Sequence, residues 1–576
     1  MIRKSKFFLL VFLIVSSSIL VSASFLTGRI ATLEGELENY QKAVYEARIT
    51  LKRLNYDYLD EIIGKLNNNL QKAKDIIAID DDADEAYIAV ADITNFLKEA
   101  NVYLHESLPI ETRGMWMDNF TIDSFYTRED VARHMDELQS INVNMIFPDV
   151  YGNGAAIYPS KVVPQHDRFK TLFQDEDVLA VIIDEAHKRN IEVHPLVRVF
   201  ALHNGVRHFI EDKVDWLDLT SENRFTLDNG YYWLSPSHPE VREYLMEFLT
   251  ELTENYDIDG VHLDYIRFDA NFGYNEHTRN LFKAFNGIDP FDISSTGLEE
   301  EFKLFKWQFV NSFIERVFYE LKSIKPNLLV SAAVASPYSW GKKDLGQDWL
   351  SWAYNRQINF MTPMSYRSTP ESYASTVRSE ITTIMGSTYI FTGLGVYLYD
   401  EHVMIEQLDA GRLTNMSGQA IFSTANMKHN DYVFLRKGPW SKPAIPTFRD
   451  PQQAAALLAK DLLVRLNEFK PLFDNTEAID SYILEIERLS KQIDALDLRP
   501  WDTRDLREAK PEEATQLEPI IEDIKSLTTR INREANRDKL IPLKTAERLI
   551  SDLGWIDSLL KPLLYTSHPY EYYMSR

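Results

Sequence analysis

The stretch Asp259-Gly-Val-His-Leu-Asp-Tyr-Ile-Arg267 decides the fold, because it joins a short apolar strand to polar residues at its carboxyl end. A strand alternates its side chains between two faces, so His262 and Asp264 lie on the same face. The helical pattern of Pro239–Tyr256 comes directly before it. A helix leading into a buried strand with a polar end is typical of an α/β protein whose site is built at strand ends.

Working outward from this strand, similar apolar or β-branched runs recur along the middle of the chain, and most have a helical stretch before the next. These runs are Thr112–Met117, Val143–Val150, Ile191–Val199, Gly260–Ile266, Leu328–Ala335, Ile358–Met364, Tyr389–Val396 and Gln419–Ser423. Eight such units predict an α/β fold of the (β/α)₈ TIM-barrel type over residues 109–445. A doubly wound sheet also alternates strand and helix, but it has fewer strands and a glycine-rich first turn, and neither GxGxxG nor a phosphate-binding loop motif occurs here.

Composition narrows the functional class. The chain has 576 residues, 45% of them hydrophobic, and a net charge of −25. So strong an acidic excess makes nucleic acid an unsuitable partner, since phosphate binding needs dense Lys and Arg. The absence of cysteine excludes disulfides, Cys–zinc sites and cysteine nucleophiles, and it leaves export open.

The first residues have the pattern of an export signal. Arg3, Lys4 and Lys6 form a basic start, and the following residues to Gly28 carry no charge. Residues 1–28 are therefore predicted to be a signal peptide or an N-terminal membrane anchor, because the uncharged run is long enough to span a bilayer. Either alternative places the rest of the chain outside the cytoplasm, secreted or membrane-anchored.

Helices are predicted on both sides of the barrel. Residues 29–108 have the apolar spacing of a helical hairpin. Residues 446–576 read as a C-terminal helical domain, with helices at Gln452–Phe469, Thr476–Asp494, Pro511–Ala535 and Leu543–Leu564. These extensions are candidate contact surfaces for envelope proteins.

Carboxylates, aromatic rings and a few His and Arg side chains lie near the predicted strand ends, where barrels of this type place their active sites. Such a mixture suits sugars, whose C–H faces stack on aromatic rings and whose hydroxyls pair with charged groups. Glycosidic cleavage needs two carboxyl groups, and Asp264 is the first candidate and Asp149 the second. The candidate substrate-binding residues are Arg113, Trp116, Tyr158, His194, Arg198, His262, Trp340 and Tyr366.

Other interpretations of the same residues stay open. Asp264 could form a structural ion pair with Arg113 or Arg267. His194, His262 and Asp264 could hold a metal of a deacetylase or hydrolase, although HExxH is absent and we expect neither a metal nor an organic cofactor. A barrel that has lost its second carboxyl would be a glycan-binding or scaffolding protein.

Several segments together resemble one known family. They are Arg113-Gly-Met-Trp116, Asn153-Gly through Ile157-Tyr-Pro-Ser-Lys161, Glu185-Ala-His-Lys-Arg189 with Glu192-Val-His194, Trp233-Leu-Ser-Pro236 with His238-Pro-Glu-Val-Arg242, and Asp259 through Phe268. This combination resembles the glycosyl-hydrolase-like family ten, also called domain of unknown function 187, over about residues 110–430.

The resemblance implies a (β/α)₈ glycosidase outside the cytoplasm, acting on an envelope glycan such as peptidoglycan. It also implies that Asp264, which matches the family's fourth-strand Asp, is the nucleophile by analogy with retaining barrel glycosidases. Three positions depart from the family pattern: Asp269 replaces a common Pro, Leu196 a common Trp, and Asp149 a common Gln. The role of Asp149 therefore comes from its position alone.

Overall fold

A computed structural model describes most of the chain. The described residues are 2–79, 83–152, 154–173, 176–202, 211–226, 230–269, 271–295 and 297–569, and for 2–24, 79, 83 and 295 the backbone alone is described.

Eight parallel strands close into a barrel, which confirms the predicted (β/α)₈ fold. The strands are β1 Thr112–Met117, β2 Met145–Gly152, β3 Leu196–Arg198, β4 Gly260–Asp264, β5 Leu329–Val334, β6 Phe360–Pro363, β7 Tyr389–Gly395 and β8 Gly418–Phe422. Each strand pairs with the next, and β8 pairs with β1 to close the barrel. A two-residue segment, Glu192–Val193, precedes β3 and also pairs with β2.

Helices surround the barrel and extend it at both ends. They are α1 Ile2–Ile49, α2 Tyr56–Ile79, α3 Ala83–Val102, α4 Asn119–Ile122, α5 Arg128–Ser140, α6 Phe169–Leu172, α7 Val178–His187, α8 Pro239–Asn255, α9 Glu276–Asn286, α10 Glu299–Ile324, α11 Tyr338–Leu345, α12 Trp349–Tyr354, α13 Pro370–Ile384, α14 Glu401–Arg412, α15 His429–Lys437, α16 Pro451–Phe469, α17 Thr476–Asp494, α18 Pro511–Asn536 and α19 Leu543–Ser567.

The barrel strands are short, apolar and buried on both faces, as parallel strands covered by helices must be. Every residue of β1, β5, β6 and β7 is buried. The two ends of the barrel segment meet at its amino-terminal side, where the backbone N–H of Ile445 donates to the oxygen of Pro109 at 2.9 Å. The two ends of the segment therefore lie away from the carboxyl ends of the strands, where the site is expected.

The amino-terminal extension has three helices, where the sequence analysis expects a hairpin of two. The additional break lies between α1 and α2, and Leu51 at this break has a positive φ of 54°. A left-handed residue ends a helix because it turns the backbone away from the helical path. The three helices share their own core, with Leu33, Leu66 and Ile93 at its centre.

The four carboxyl-terminal helices lie within three residues of their predicted ends. Helices α18 and α19 pack on each other, as do α16 and α17. Their apolar faces join the large hydrophobic core that also contains the barrel. This domain therefore packs against the barrel and does not extend freely from it.

The predicted signal peptide or anchor falls mainly on residues 1–24, whose side chains lie outside the described part of the chain. Within the described residues, no helix has a stretch both long and apolar enough to cross a bilayer.

Candidate active site

A cleft of about 630 Å³ opens at the carboxyl ends of the barrel strands. Four of the predicted site residues line it: Trp116, Asp149, Arg198 and Asp264. The ends of β1, β2, β3, β4 and β8 form its floor. This is the end of a (β/α)₈ barrel at which catalytic groups are built.

Three neighbouring strands place two carboxyl groups on either side of one guanidinium group. Arg198 at the end of β3 is in register with Asp264 at the end of β4. Arg198 also forms an ion pair with Asp149 of β2. The register between β2 and β3 shifts just after Asp149. Such an irregularity re-aims a side chain and is common beside active sites.

Burial dominates the electrostatics of Asp149, which is 6% exposed. Burial raises its pKa from the usual 3.8 to about 6, because a charged carboxylate is poorly solvated there. The guanidinium of Arg198 opposes this rise. The negative charges of Asp264 and Asp118 add to it, so this carboxyl can hold a proton at mildly acidic pH.

The pKa of Asp264 is also raised, mainly by burial. Arg267, the backbone N–H of Tyr265 and Arg198 act in the opposite direction. The Tyr265 N–H donates to Asp264 Oδ1 at 2.7 Å. Tyr265 has a positive φ of 51°, which costs energy for a residue with a side chain and is typical of functional sites.

A third carboxyl, Asp118, lines the cleft but is occupied by structural hydrogen bonds. Its Oδ1 accepts the backbone N–H of Thr121 at 3.0 Å and caps α4. Its Oδ2 accepts the hydroxyl of Ser423 at 2.5 Å. Asp118 is therefore a poor candidate for proton transfer, although its charge contributes to the pKa of Asp149.

The predicted residue His262 lies beneath the cleft and holds Trp116. The indole N–H of Trp116 donates to His262 Nε2 at 3.2 Å, so the other ring nitrogen, Nδ1, carries the proton. That nitrogen lies 2.9 Å from the hydroxyl of Ser331. Burial, followed by the charge of His194, lowers the pKa of His262 well below its usual value, and the ring stays neutral.

Replacing His262 by Phe is expected to lower the free energy of unfolding by about 1–3 kcal/mol, because the buried indole N–H of Trp116 loses its acceptor. Denaturant unfolding of the two proteins measures the difference. The His262→Gln variant, whose amide oxygen can accept the same hydrogen bond, is expected to lose less. Equal losses in both variants would show that ring packing, and not this hydrogen bond, explains the effect.

Tyr366 follows β6 and lies at the edge of this arrangement. Its ring packs against Phe422, a residue of the cleft, with centroids 5.7 Å apart. Burial raises its pKa well above the usual value, and the charge of Asp264 adds to this. The hydroxyl is therefore a neutral hydrogen-bond donor within the electrostatic reach of Asp264.

The structure corrects the predicted substrate-binding roles of Arg113 and His194. Arg113 is fully buried and pairs with Glu111 at 2.9 Å, near the amino-terminal end of β1. Arg113 and Trp116 are three positions apart on the strand, so their side chains lie on opposite faces, and that of Arg113 points away from the barrel interior. His194 faces the interior but lies four residues before Arg198, and its Nε2 contacts Glu192 at 3.2 Å in the lower part of the barrel.

Tyr158 and Trp340 also lie away from the cleft. Tyr158 is fully buried against α8, and its ring centroid is 6.0 Å from that of Phe248. It anchors the loop after β2 to the outside of the barrel. Trp340 lies on α11 with 47% of its surface exposed and does not line the cleft.

The sequence analysis missed five aromatic residues of the cleft: Phe120, Phe169, Tyr231, Tyr265 and Phe422. The rings of Tyr231 and Tyr265 stack with centroids 6.1 Å apart and form an aromatic wall beside Asp264. Tyr265 follows Asp264 directly, so its position offered a signal. Tyr231 lies far along the chain before β4, and no sequence pattern predicts that its loop returns to the cleft.

The alternative of a metal held by His194, His262 and Asp264 is not supported by the geometry. The ring of Phe147 packs against both histidines, with its centroid 4.2 Å from His262 and 5.9 Å from His194. Both nitrogens of His262 have hydrogen-bond partners. Within the described residues, no three His, Asp or Glu side chains form a group suited to a metal ion.

A closed parallel barrel with a buried and a partly exposed carboxyl group and aromatic residues at its carboxyl end has the arrangement of a glycosidase-type barrel. A family model described as Glycosyl hydrolase-like 10 matches residues 111–406, just over half of the chain. The chain belongs to this family, which confirms the resemblance of its motifs.

Similar proteins cover only part of the chain. Glycosyl hydrolase DigH of Escherichia coli is 24% identical over 37% of this chain and 49% of its own length. Glycosyl hydrolase YngK of Bacillus subtilis is 27% identical over 24% of this chain and 28% of its own. The chain thus spans at most about half of these relatives.

Solved structures that are similar to this chain include the glycoside hydrolase domain of PgaB (BpsB) from Bordetella bronchiseptica. It has a TM-score of 0.45 at 12% identity over 57% of this chain and 98% of that one. The alpha-L-fucosidase isoenzyme 2 from Paenibacillus thiaminolyticus has a TM-score of 0.45 at 17% identity, over 58% and 49% of the two chains.

Proposed function

We propose that this protein is an exported glycoside hydrolase that cleaves an envelope glycan, with peptidoglycan as the leading candidate. The observation that carries the proposal is the pair Asp149 and Asp264, which face one cleft across Arg198 and both have raised pKa values. The N-terminal segment would direct export or anchor the chain in the membrane. The helical extensions would contact envelope proteins.

In the proposed reaction, the Asp264 carboxylate attacks or stabilises the anomeric carbon as the glycosidic C–O bond breaks. Asp149 gives its proton to the leaving oxygen, and water completes the hydrolysis. Arg198 lies between the two carboxyls and limits the mutual repulsion of their charges. Trp116 and the wall formed by Tyr231 and Tyr265 offer faces for sugar stacking.

One observation favours a second candidate, a glycan-binding or scaffolding protein without catalysis. Asp149 forms an ion pair with Arg198, and an ion pair favours the charged carboxylate over the protonated acid. Loss of a proton donor would leave a cleft that binds sugars but does not cleave them.

The test is hydrolysis of purified peptidoglycan, intact and peptide-stripped, by the full chain beside its Asp264→Asn variant. Release of soluble sugars by the wild-type protein alone is expected. If both proteins release product, the chemistry lies elsewhere. If both bind the glycan and neither cleaves it or any other envelope polysaccharide, the scaffold interpretation is the better one.

The pH dependence of hydrolysis should report the proton on Asp149. An acid that must be protonated loses activity as pH rises through its pKa, so the alkaline limb of kcat/KM is expected near pH 6. Arg198→Met removes the charge that lowers this pKa, so the limb should move up by about one pH unit or more. If the alkaline limb does not move in Arg198→Met, Asp149 is not the general acid.

A further inference from the structure

A second cavity, of about 520 Å³, lies beside the candidate active site and has a different chemistry. The segment after Asp264 connects the two, since Tyr265 lines the cleft and Phe268 lines the second cavity. These two residues are three positions apart, which limits their Cα separation to about 11 Å. The two linings therefore come within one or two sugar lengths of each other at this segment, and we call the second cavity the lysine pocket.

The lysine pocket is built around Lys306 of α10. This side chain is nearly buried, with 9% of its surface exposed, and it lines the pocket. Its ammonium group lies 5.0 Å from the ring centroid of Phe302 and 5.4 Å from those of Phe268 and Tyr274. Aromatic faces attract a cation, so the three rings hold the charge in place.

The ammonium group of Lys306 has donor capacity left for a ligand. It carries three N–H donors, and within the described residues one of them is used by the backbone oxygen of Phe272 at 2.8 Å. Burial lowers the pKa of Lys306 from 10.5 to about 8, and the charge of the buried Asp218 carboxylate opposes this fall, so the amine is mostly charged at neutral pH. A cation kept in a buried aromatic setting binds an anion more strongly than an exposed lysine does.

The rest of the lining fits an acidic sugar. Lys303 and Lys343 add two more cations, against the two carboxylates of Glu299 and Asp344. The three lysines of this lining outnumber its two carboxylates, while Lys303 also pairs with Glu300 at 2.7 Å. Partly exposed aromatic residues, including Tyr274 and Trp307, offer faces for a sugar ring.

We propose that the lysine pocket is an accessory glycan subsite that binds a sugar unit carrying a carboxylate, with Lys306 as the group that pairs with it. The inference rests on the proposed function in that the glycan is taken to pass from the cleft to the pocket. The carboxylate could belong to a lactyl ether or to a uronic acid, and both present the same anion on a pyranose ring.

The test is calorimetric titration of the full chain carrying Asp264→Asn, so that bound glycan is not consumed. The probes are peptide-stripped peptidoglycan strands, oligogalacturonate, and each glycan after reduction of its carboxyl groups to alcohols. We expect at least one acidic glycan to bind about tenfold more tightly than its reduced form. This preference should shrink at high salt, because the attraction is electrostatic.

Adding Lys306→Met is expected to abolish the preference and leave affinity for the reduced glycan unchanged. Lys343→Met, at an exposed position of the pocket, should reduce the preference in part and serves if Lys306→Met does not fold. Lys460→Met, at an exposed ion pair on α16, makes the same change of charge outside the pocket and should have no effect. Equal affinity for acidic and reduced forms in the parent chain, or a preference unchanged in folded Lys306→Met, would overturn the proposal.

The two proposals can fail separately. If the Asp264→Asn protein binds acidic glycan selectively but the wild-type protein hydrolyses no glycan, the pocket is kept and the proposed hydrolase is rejected. Hydrolysis without any preference for carboxylated glycan would keep the hydrolase and reject the pocket.

Discussion

Replacing Asp264 by Asn is expected to lower glycan hydrolysis by about 10³-fold while the fold is retained. Asn has the same shape and can still accept the hydrogen bond from the N–H of Tyr265, now 2.7 Å from Asp264 Oδ1. It cannot supply the negative charge that attacks or stabilises the anomeric carbon. Initial rates of sugar release from peptide-stripped peptidoglycan measure the loss.

Stability shows whether that loss is chemical. Burial disfavours the charge of Asp264 and raises its pKa, so the neutral Asn is expected to leave the protein at least as stable at neutral pH. Asp118→Asn is the matched control, since Asp118 lines the same cleft but is held by Thr121 and Ser423. Its effect on the rate should stay below about tenfold. Comparable losses in the two variants would contradict a nucleophilic role specific to Asp264.

The second large effect is expected in a buried ionic cluster that joins the amino-terminal helices, the barrel entry and the carboxyl-terminal domain. Its members are Arg53, Glu106, Asp461, Arg465, Arg548 and Asp552. Arg548 binds both oxygens of Glu106, at 2.5 and 2.9 Å, and Arg465 contacts Asp552 at 2.9 Å. Three positive and three negative groups leave the cluster neutral.

Replacing Asp552 by Asn is expected to destabilise the protein by about 3–5 kcal/mol, because it leaves an uncompensated positive charge in a buried place. Guanidinium unfolding of the full chain measures the loss. The exposed pair Lys460–Asp494 is the control, and Asp494→Asn should cost less than about 1 kcal/mol. A double variant, Asp552→Asn with Arg548→Met, restores neutrality and should recover part of the loss. A loss of under 1 kcal/mol in Asp552→Asn would mean that the cluster does not join these parts.

The pH dependence of this cluster follows from the same charges. Burial alone would raise the pKa of Asp552, but Arg465, Arg548 and Arg53 together lower it from 3.8 to about 2. A carboxyl with a lowered pKa stabilises the fold above its unfolded pKa, and this stability is lost as pH falls from about 4 towards 2. Asp552→Asn should therefore weaken the acid dependence of stability in that range.

The barrel could be predicted because its strands carry their signal locally. A strand such as Thr112–Met117 is buried on both faces, so it is a run of mostly apolar residues. Such a run can be recognised from its own residues, without knowledge of its neighbours in the sheet. The helix ends in the carboxyl-terminal domain were also predictable from local spacing and prolines. The break after α1 was missed, because the apolar spacing continues across it and only the backbone of Leu51 turns away.

The candidate site divides in the same way. Asp264, Asp149, Trp116 and Arg198 were predictable because each lies on an interior-facing position at the carboxyl end of a strand. His194 also faces the barrel interior, but it lies nearer the amino-terminal end of the barrel than the cleft does. The depth of a residue along the barrel depends on how neighbouring strands are staggered. Tyr231 reaches the cleft through a loop, and loop conformation depends on contacts with the rest of the fold.

By itself, the sequence determined the barrel, its family and the position of Asp264 at a strand end, because hydrophobic periodicity and strand-end chemistry are local properties. The tertiary structure alone decided that Arg198 separates Asp149 from Asp264, that Lys306 faces a cavity beside them, and that Arg53, Glu106 and Asp552 meet. These groups are far apart along the chain, and their pKa values and interactions depend on burial and distance. Both quantities exist only once the chain has folded.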